Sequence, residues 1–244
     1  MYKYFISLSI LFILMACSSN RITDNMPAEK KMEIGNNFFD EEKFNKAIPY
    51  YTDVAFERNS SFTTEAQEKL AECYFRQDKY LEARFEYQEL IRLFPDHEDI
   101  GRIYFQVGVC YFNESLNAHY SQDDTEKAIS SFKTFLEKFP FDERKVEALE
   151  YLQKCNYKLL EKKFHNGLTY YRIYDYSAAL MYFDEIIDLE MNDVLDRKAI
   201  YYSAKIYKKR KNIEKTQKMI EILNKKYPGS KETLKAVNFL KKQK

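Results

Sequence analysis

The sequence predicts an all-α protein, an α-solenoid of about five helix hairpins closed by a C-terminal capping helix. Three observations predict it. Gly and Pro number only five each in 244 residues, against ordinary usage of about 7% and 5%, which argues against sandwiches, barrels and Gly-rich phosphate loops. The chain is 45% hydrophobic, 16% aromatic and 32% charged, with 21 Tyr, 19 Phe and no Trp. That is too apolar for a disordered chain and suits helices around an aromatic core. Small and aromatic residues also return at fixed places along the chain, at separations that share one helical face.

Residues 1–16 read as a leader rather than as part of the fold. Lys3 precedes an apolar run, Phe5 to Leu14, too short to span a bilayer as a mature helix and of the length of a signal-peptide core. It ends in Leu14-Met15-Ala16-Cys17 followed by Ser18-Ser19-Asn20, which resembles the bacterial lipobox. That resemblance implies cleavage before Cys17, which becomes a lipidated amino terminus. Several acyl chains on one Cys make a lasting anchor, since each buried methylene contributes about 0.8 kcal/mol and a single chain holds only marginally. Residues 17–27 are then a lipidated flexible tether, polar from Asn20 to Pro27. No cofactor is expected beyond the covalent lipid on Cys17.

The folded domain is expected over 28–244. Five units start near Ala28, Thr64, Gly101, Leu160 and Arg197, and their eighth places hold Gly35, Ala71, Gly108, Gly167 and Ala204. Three places on stand Phe38, Tyr74, Tyr111, Tyr170 and Tyr207. In the second half of each unit a small residue precedes an aromatic by four: Ala47/Tyr51, Ala83/Tyr87, Ala128/Phe132 and Ala179/Phe183. A small residue at the eighth place lets the second helix approach closely, and the aromatic one turn later fills the space beside it. Pro95, Pro140 and Pro228 mark where helices must stop. The pattern is similar to the tetratricopeptide repeat, two antiparallel helices per unit. Repeats are expected near 28–60, 64–97, 101–142, 144–192 and 197–230, with a cap over 231–244. The third unit carries an exposed polar loop around Asn117 to Asp124, and Arg144 to Lys158 continues into the first helix of the fourth unit as one long element. In the fifth unit Thr216 and Ile220 replace the small and aromatic residues, as befits a terminal repeat.

Stacked hairpins of this kind present their first helices as a surface for extended peptides. The twelfth place of each unit generally faces that surface and here holds Phe39, Phe75, Phe112 and Tyr171, then Lys208. With Asn36, Glu72 and Arg76 as polar readers, these rings form a candidate peptide-binding groove. Two roles are open to each ring: stacking on a bound strand, or packing between neighbouring helices.

Catalytic and metal chemistry is not indicated, so the chain is read as a non-enzyme. His97, His119 and His165 fall in different repeats without ligand spacing, and no Gly-Lys-Ser/Thr or Gly-x-Ser-x-Gly sequence occurs. Asp123/Asp124 and Glu41/Glu42 lie in expected loops as solvated pairs. Cys73, Cys110 and Cys155 are an odd set inside apolar helical patterns, read as buried core thiols. The 39 basic and 38 acidic residues leave a net charge of +1, which gives no general field for nucleic acid. From Lys205 to Lys244, however, fourteen Lys or Arg stand against three Glu. This basic end is open to three readings: a solvated last helix, a dock for an acidic partner, or a dock for anionic lipid headgroups.

Leader, tether and five irregular repeats together resemble the BamD (YfiO/ComL) family of outer-membrane β-barrel assembly lipoproteins. The most particular stretch runs from Ser121-Gln122-Asp123-Asp124 through Ala128, Phe132 and Phe135 to Phe139-Pro140. Leu93-Phe94-Pro95 with His97, and Leu159-Leu160-Glu161 followed by Tyr170-Tyr171, carry it further. The resemblance implies a non-enzymatic scaffold, anchored by lipid in the outer membrane and facing the periplasm. Its carboxy-terminal repeats would contact the POTRA domains of a BamA-like barrel alongside other Bam lipoproteins, and its amino-terminal repeats would engage unfolded outer-membrane proteins. Two other readings stay open: a periplasmic repeat lipoprotein organising cell-envelope or division proteins, and an accessory subunit of a peptidoglycan enzyme.

Overall fold

A computed structural model describes residues 26–57 and 60–241; the expected leader, Cys17 and most of the tether lie outside the described residues. Within them the chain forms eleven α-helices and no strand. They are α1 (Ala28–Asp40), α2 (Phe44–Phe56), α3 (Thr63–Phe75), α4 (Tyr80–Leu93), α5 (Ile100–Glu114), α6 (Asp123–Lys138), α7 (Lys145–Arg172), α8 (Tyr176–Ile187), α9 (Val194–Lys209), α10 (Ile213–Lys226) and α11 (Lys231–Lys241). The chain divides into two compact units, Met1–Asp96 and His97–Lys244. The first holds the hairpins α1–α2 and α3–α4; the second holds α5–α6, α7–α8, α9–α10 and the cap α11.

The repeat signature becomes packing at the eighth places. A Cβ on Gly35 would stand 2.9 Å from the Tyr51 ring, on Gly108 2.7 Å from Phe132, and on Gly167 2.7 Å from Phe183. Each of these rings belongs to the second helix of the same hairpin and is fully buried. The space beside the small residue is therefore filled from the facing helix. The eleventh-place aromatics expected there, such as Phe38 and Tyr170, are only half-buried, because the ring from the facing helix already occupies that space; they meet Tyr50 at 6.0 Å and Tyr182 at 5.6 Å instead. Around these contacts lie the cores: Met32, Tyr51, Val54, Ala66 and Leu70 in the first unit, and Phe164, Phe183, Ile186, Ala199 and Ile206 in the second.

Helix ends follow local rules. α4, α6 and α10 each stop two residues before a proline, with Phe94, Phe139 and Tyr227 at φ near −130° and ψ of 55 to 61°, out of the helical region that the following ring disfavours. Pro49 differs: it sits inside α2 on an exposed face, at the cost of one helical hydrogen bond. Four first helices end in the same turn. The N–H groups of Lys43, Lys79, Asp175 and Asn212 donate to the carbonyls of Phe38, Tyr74, Tyr170 and Tyr207, and the residues before them, Glu42, Asp78, Tyr174 and Lys211, have φ of 57 to 65°. This is the Schellman arrangement, with ordinary residues where glycine is usual.

Two local expectations are corrected. Asp123 and Asp124 are not loop residues but open α6, where the helix dipole favours acidic side chains. The long connection of the third hairpin, Ser115–Gln122, is not simply exposed. Ala118 and Gln122 are buried, because the Gln122 amide donates to the carbonyls of Asn117, Tyr120 and Ser121 and closes the loop on itself.

Candidate functional site

The expected groove residues divide between the units. Asn36 and Phe39 stand on α1, Glu72 and Phe75 on α3, and Arg76 just past the end of α3; Phe112 stands on α5 and Tyr171 on α7. All four rings are half-buried. Phe39 meets Phe44 edge-on at 5.4 Å, Phe75 meets Tyr80 at 5.4 Å, Phe112 meets Tyr151 at 5.0 Å and Tyr171 meets Tyr202 at 5.3 Å. Each ring thus has one side seated on a neighbouring helix, so packing and exposure share the same residue.

The polar readers are also partly engaged. The Tyr51 hydroxyl donates to Asn36 Oδ1 at 2.7 Å, and the Tyr87 hydroxyl to Glu72 at 3.2 Å, one equivalent bond in each hairpin of the first unit. Glu72 also pairs with Arg76 at 3.2 Å. Asn36 keeps its amide donors for another acceptor, and the Arg76 side chain is more than half exposed.

Sequence reasoning missed a set of lysines. Lys69 Nζ lies 4.4 Å from the Phe39 centroid, Lys158 5.7 Å from Phe112, and Lys205 4.9 Å from Tyr171. Each comes from α3, α7 or α9, a helix later in the chain than the ring it covers. An aromatic face beside an ammonium group suits a ligand bearing both an aromatic side chain and a carboxylate. Lys158 is held below the usual lysine range by burial and donates to Ser115 Oγ at 2.7 Å. The signal was present in the lysine positions, but the register that matches them to rings comes from the stacking of one hairpin on the next.

His119 and His165, placed in separate repeats by sequence, stack with ring centroids 3.7 Å apart. The third-hairpin loop folds back on α7, where Lys162 Nζ donates to the His119 carbonyl at 3.2 Å. Burial first, then the charges of His119, Arg172, Lys162 and Lys198, hold the His165 pKa below its ordinary value. His97 stays apart, its Nδ1 accepting from the Asp99 N–H at 3.1 Å. Among the described residues no group of three or more His, Cys, Asp or Glu side chains could hold a metal ion. Cys73, Cys110 and Cys155 are buried and form no disulfide among the described residues, and burial pushes Cys73 up to about 12 and Cys155 to about 11. No helix of the described residues is long and apolar enough to cross a membrane.

The family signature of YfiO, an outer membrane lipoprotein, matches residues 25–218. The chain belongs to the YfiO family. Two curated relatives are outer membrane protein assembly factors BamD. That of Caulobacter vibrioides is 19% identical over 86% of this chain and 69% of its own length; that of Rickettsia prowazekii is 23% identical over 92% and 90%. Among solved structures, a tetratricopeptide repeat protein from Parabacteroides merdae is 18% identical with a TM-score of 0.38, covering 88% of this chain and 74% of that one. The TPR2AB-domain:pHSP90 complex of yeast Sti1 is 17% identical with a TM-score of 0.45, covering 88% and 84%. In this YfiO-family chain the family match runs from the start of α1 into α10, so it takes in every ring and polar reader described above.

Proposed function

We propose that this chain is a non-enzymatic lipoprotein scaffold of outer-membrane β-barrel protein assembly, held at the periplasmic face of the outer membrane by lipid on Cys17. The assembly role rests on membership of the YfiO family and on relatives named for that role. In this reading the first unit receives extended, aromatic-rich segments of unfolded outer-membrane proteins, while the carboxy-terminal repeats contact the POTRA domains of a BamA-like barrel and join other Bam lipoproteins.

The observation that carries the substrate role is Phe39 with the Lys69 ammonium over its ring, together with Phe75 and the exposed Arg76 at the end of α3. An unfolded strand ending in an aromatic residue and a free carboxylate presents the complementary groups. The test is fluorescence anisotropy with a labelled aromatic-rich peptide carrying a free carboxy terminus, and with its amidated twin. Phe39→Ala and Phe75→Ala are each expected to weaken binding about tenfold, with helicity by circular dichroism retained, and amidation is expected to weaken it as well. Unchanged affinity in both variants would remove the substrate role from this surface. Affinity purification from detergent-solubilised membranes tests the wider reading. Recovery of a POTRA-bearing barrel supports it, whereas recovery of cell-wall hydrolases or division proteins alone assigns the chain to envelope organisation instead.

A further inference from the structure

The first unit has a second concavity on its other face. Helices α2 and α4 form its walls and α3 its floor, with Phe56 and Phe85 at the lips and Leu70 and Tyr74 at the base, enclosing about 510 Å³. That lies inside the range of about 300–1,000 Å³ of ligand-binding clefts. At 100° per residue, Leu70 and Tyr74 lie across α3 from Lys69, Glu72 and Arg76, so this groove and the ring surface are separate. Phe56 is 78% and Phe85 57% exposed, an apolar pair left to water at the mouth of a cleft.

Among the described residues the charge in the groove has a single sign: Glu82, Glu86 and Glu89 line it and no Lys or Arg does. Glu89 is engaged by Arg92 at 2.5 Å. Glu86 accepts from the Gln67 side-chain amide, and neither it nor Glu82 has a cationic partner among the described residues. Burial pushes the Glu86 carboxyl above the usual carboxylate range. Burial, followed by the fields of Glu86 and Glu82, raises the Tyr74 phenol on the floor. A cation entering here would meet the carboxyl groups of Glu82 and Glu86 in a partly desolvated cleft.

We propose that this groove receives an amphipathic basic segment of a partner protein, its apolar side chains set between Phe56 and Phe85 and its Lys or Arg side chains against Glu82 and Glu86. Helical walls on either side of Leu70 and Tyr74 suit the helix-in-groove mode, in which apolar anchors and flanking charges recur on one face. The same glutamates repel an acidic segment or an anionic lipid headgroup.

The experiment uses the folded chain and a fluorescein-labelled amphipathic peptide of leucine and lysine, with its leucine–glutamate counterpart as the reversed-charge probe. The Leu/Lys peptide is expected to bind. Its affinity should fall about tenfold in Phe85→Ser and in the double variant Glu82→Gln/Glu86→Gln, and stay unchanged in the charge-matched Glu147→Gln/Glu150→Gln in the second unit. The Leu/Glu peptide should bind at least about tenfold more weakly. Phe56→Ser, at a still more exposed position, repeats the test if Phe85→Ser lowers the melting temperature. Equal affinity of wild type and both groove variants would overturn the proposal, as would equal binding of the two peptides. A wild-type dimer by light scattering that Phe85→Ser converts to monomer would also overturn it, assigning the groove to a second copy. These variants leave Phe39, Phe75 and Lys69 intact, so the outcome is independent of the substrate role proposed above.

Discussion

At the scale of single residues, the eighth-place glycines are a conflict between local propensity and tertiary contact that the contact wins. Glycine inside a helix is about 1 kcal/mol worse than alanine, yet Gly108 sits in the middle of α5. An added Cβ would lie 2.7 Å from Cε1 of Phe132, and that ring cannot yield. It is fully buried and stacked on Tyr151 with centroids 5.0 Å apart, with Phe105 at 5.8 Å on another side. Overpacking costs about 1–3 kcal/mol, enough to outweigh the gain in helix propensity. Gly108→Ala should therefore melt below wild type in circular dichroism, and Gly108→Leu lower still. A rise in melting temperature for Gly108→Ala would show that the ring moves aside. The small-then-aromatic pattern was legible in the sequence, but the partner of each glycine was not. Sequence order suggested an aromatic on the same helix, whereas the ring crosses from the facing one.

At the scale of elements, helix positions were largely legible because period and punctuation agree. The apolar spacing marks each helix, the prolines at 95, 140 and 228 end three of them, and the run beginning near Arg144 does continue into α7 as a single helix of 28 residues. The turns inside the hairpins were not legible, because the residue at positive φ is never glycine. Glu42 holds φ of 57° in the turn between α1 and α2, a conformation that costs an ordinary residue roughly 1 kcal/mol. The Glu42 side chain is exposed, so little is lost with it. Glu42→Gly should raise stability by about 0.5–1 kcal/mol, read as a higher urea midpoint with unchanged slope. A lower midpoint would mean that the glutamate side chain contributes more than its exposure suggests. The third-hairpin loop was hidden for a related reason: its order depends on Gln122 reaching back to three carbonyls, a contact that polar composition does not reveal.

At the scale of the whole molecule, Arg144 joins places far apart in the chain within the second unit. Its guanidinium bonds Asp142 at 2.8 Å and Asp99 at 2.7 Å, tying the start of α5 to the start of α7. Those bonds hold the Asp142 carboxyl below the usual carboxylate range. For Asp99, burial acts upward, and the bonds from Arg144, with the Arg102 N–H, outweigh it. Carboxyls lowered by folding stabilise the native state at every pH above their unfolded value, near 3.9, and that contribution is lost as pH falls through the folded value. Arg144→Met should cost about 2 kcal/mol near neutral pH, and its deficit relative to wild type should shrink as pH is lowered below about 4. A deficit that stays constant down to pH 2 would assign the loss to packing instead. The same scale decides which surfaces are available. Phe39 and Lys69 face one side of the first unit, and the acidic groove between α2 and α4 opens on the other.

From the amino-acid order alone came the helical class, the buried thiols and the family, because these depend on periodicity, punctuation and short motifs contained in each segment. Tertiary structure alone decided which ring fills the space beside each glycine, which lysine covers Phe39, Phe112 and Tyr171, that His119 and His165 meet, and that Glu82 and Glu86 share an apolar cleft. Each of those is a contact between side chains on different helices, and helix spacing and register are set by how the whole set of buried rings fits together rather than by any one stretch of chain.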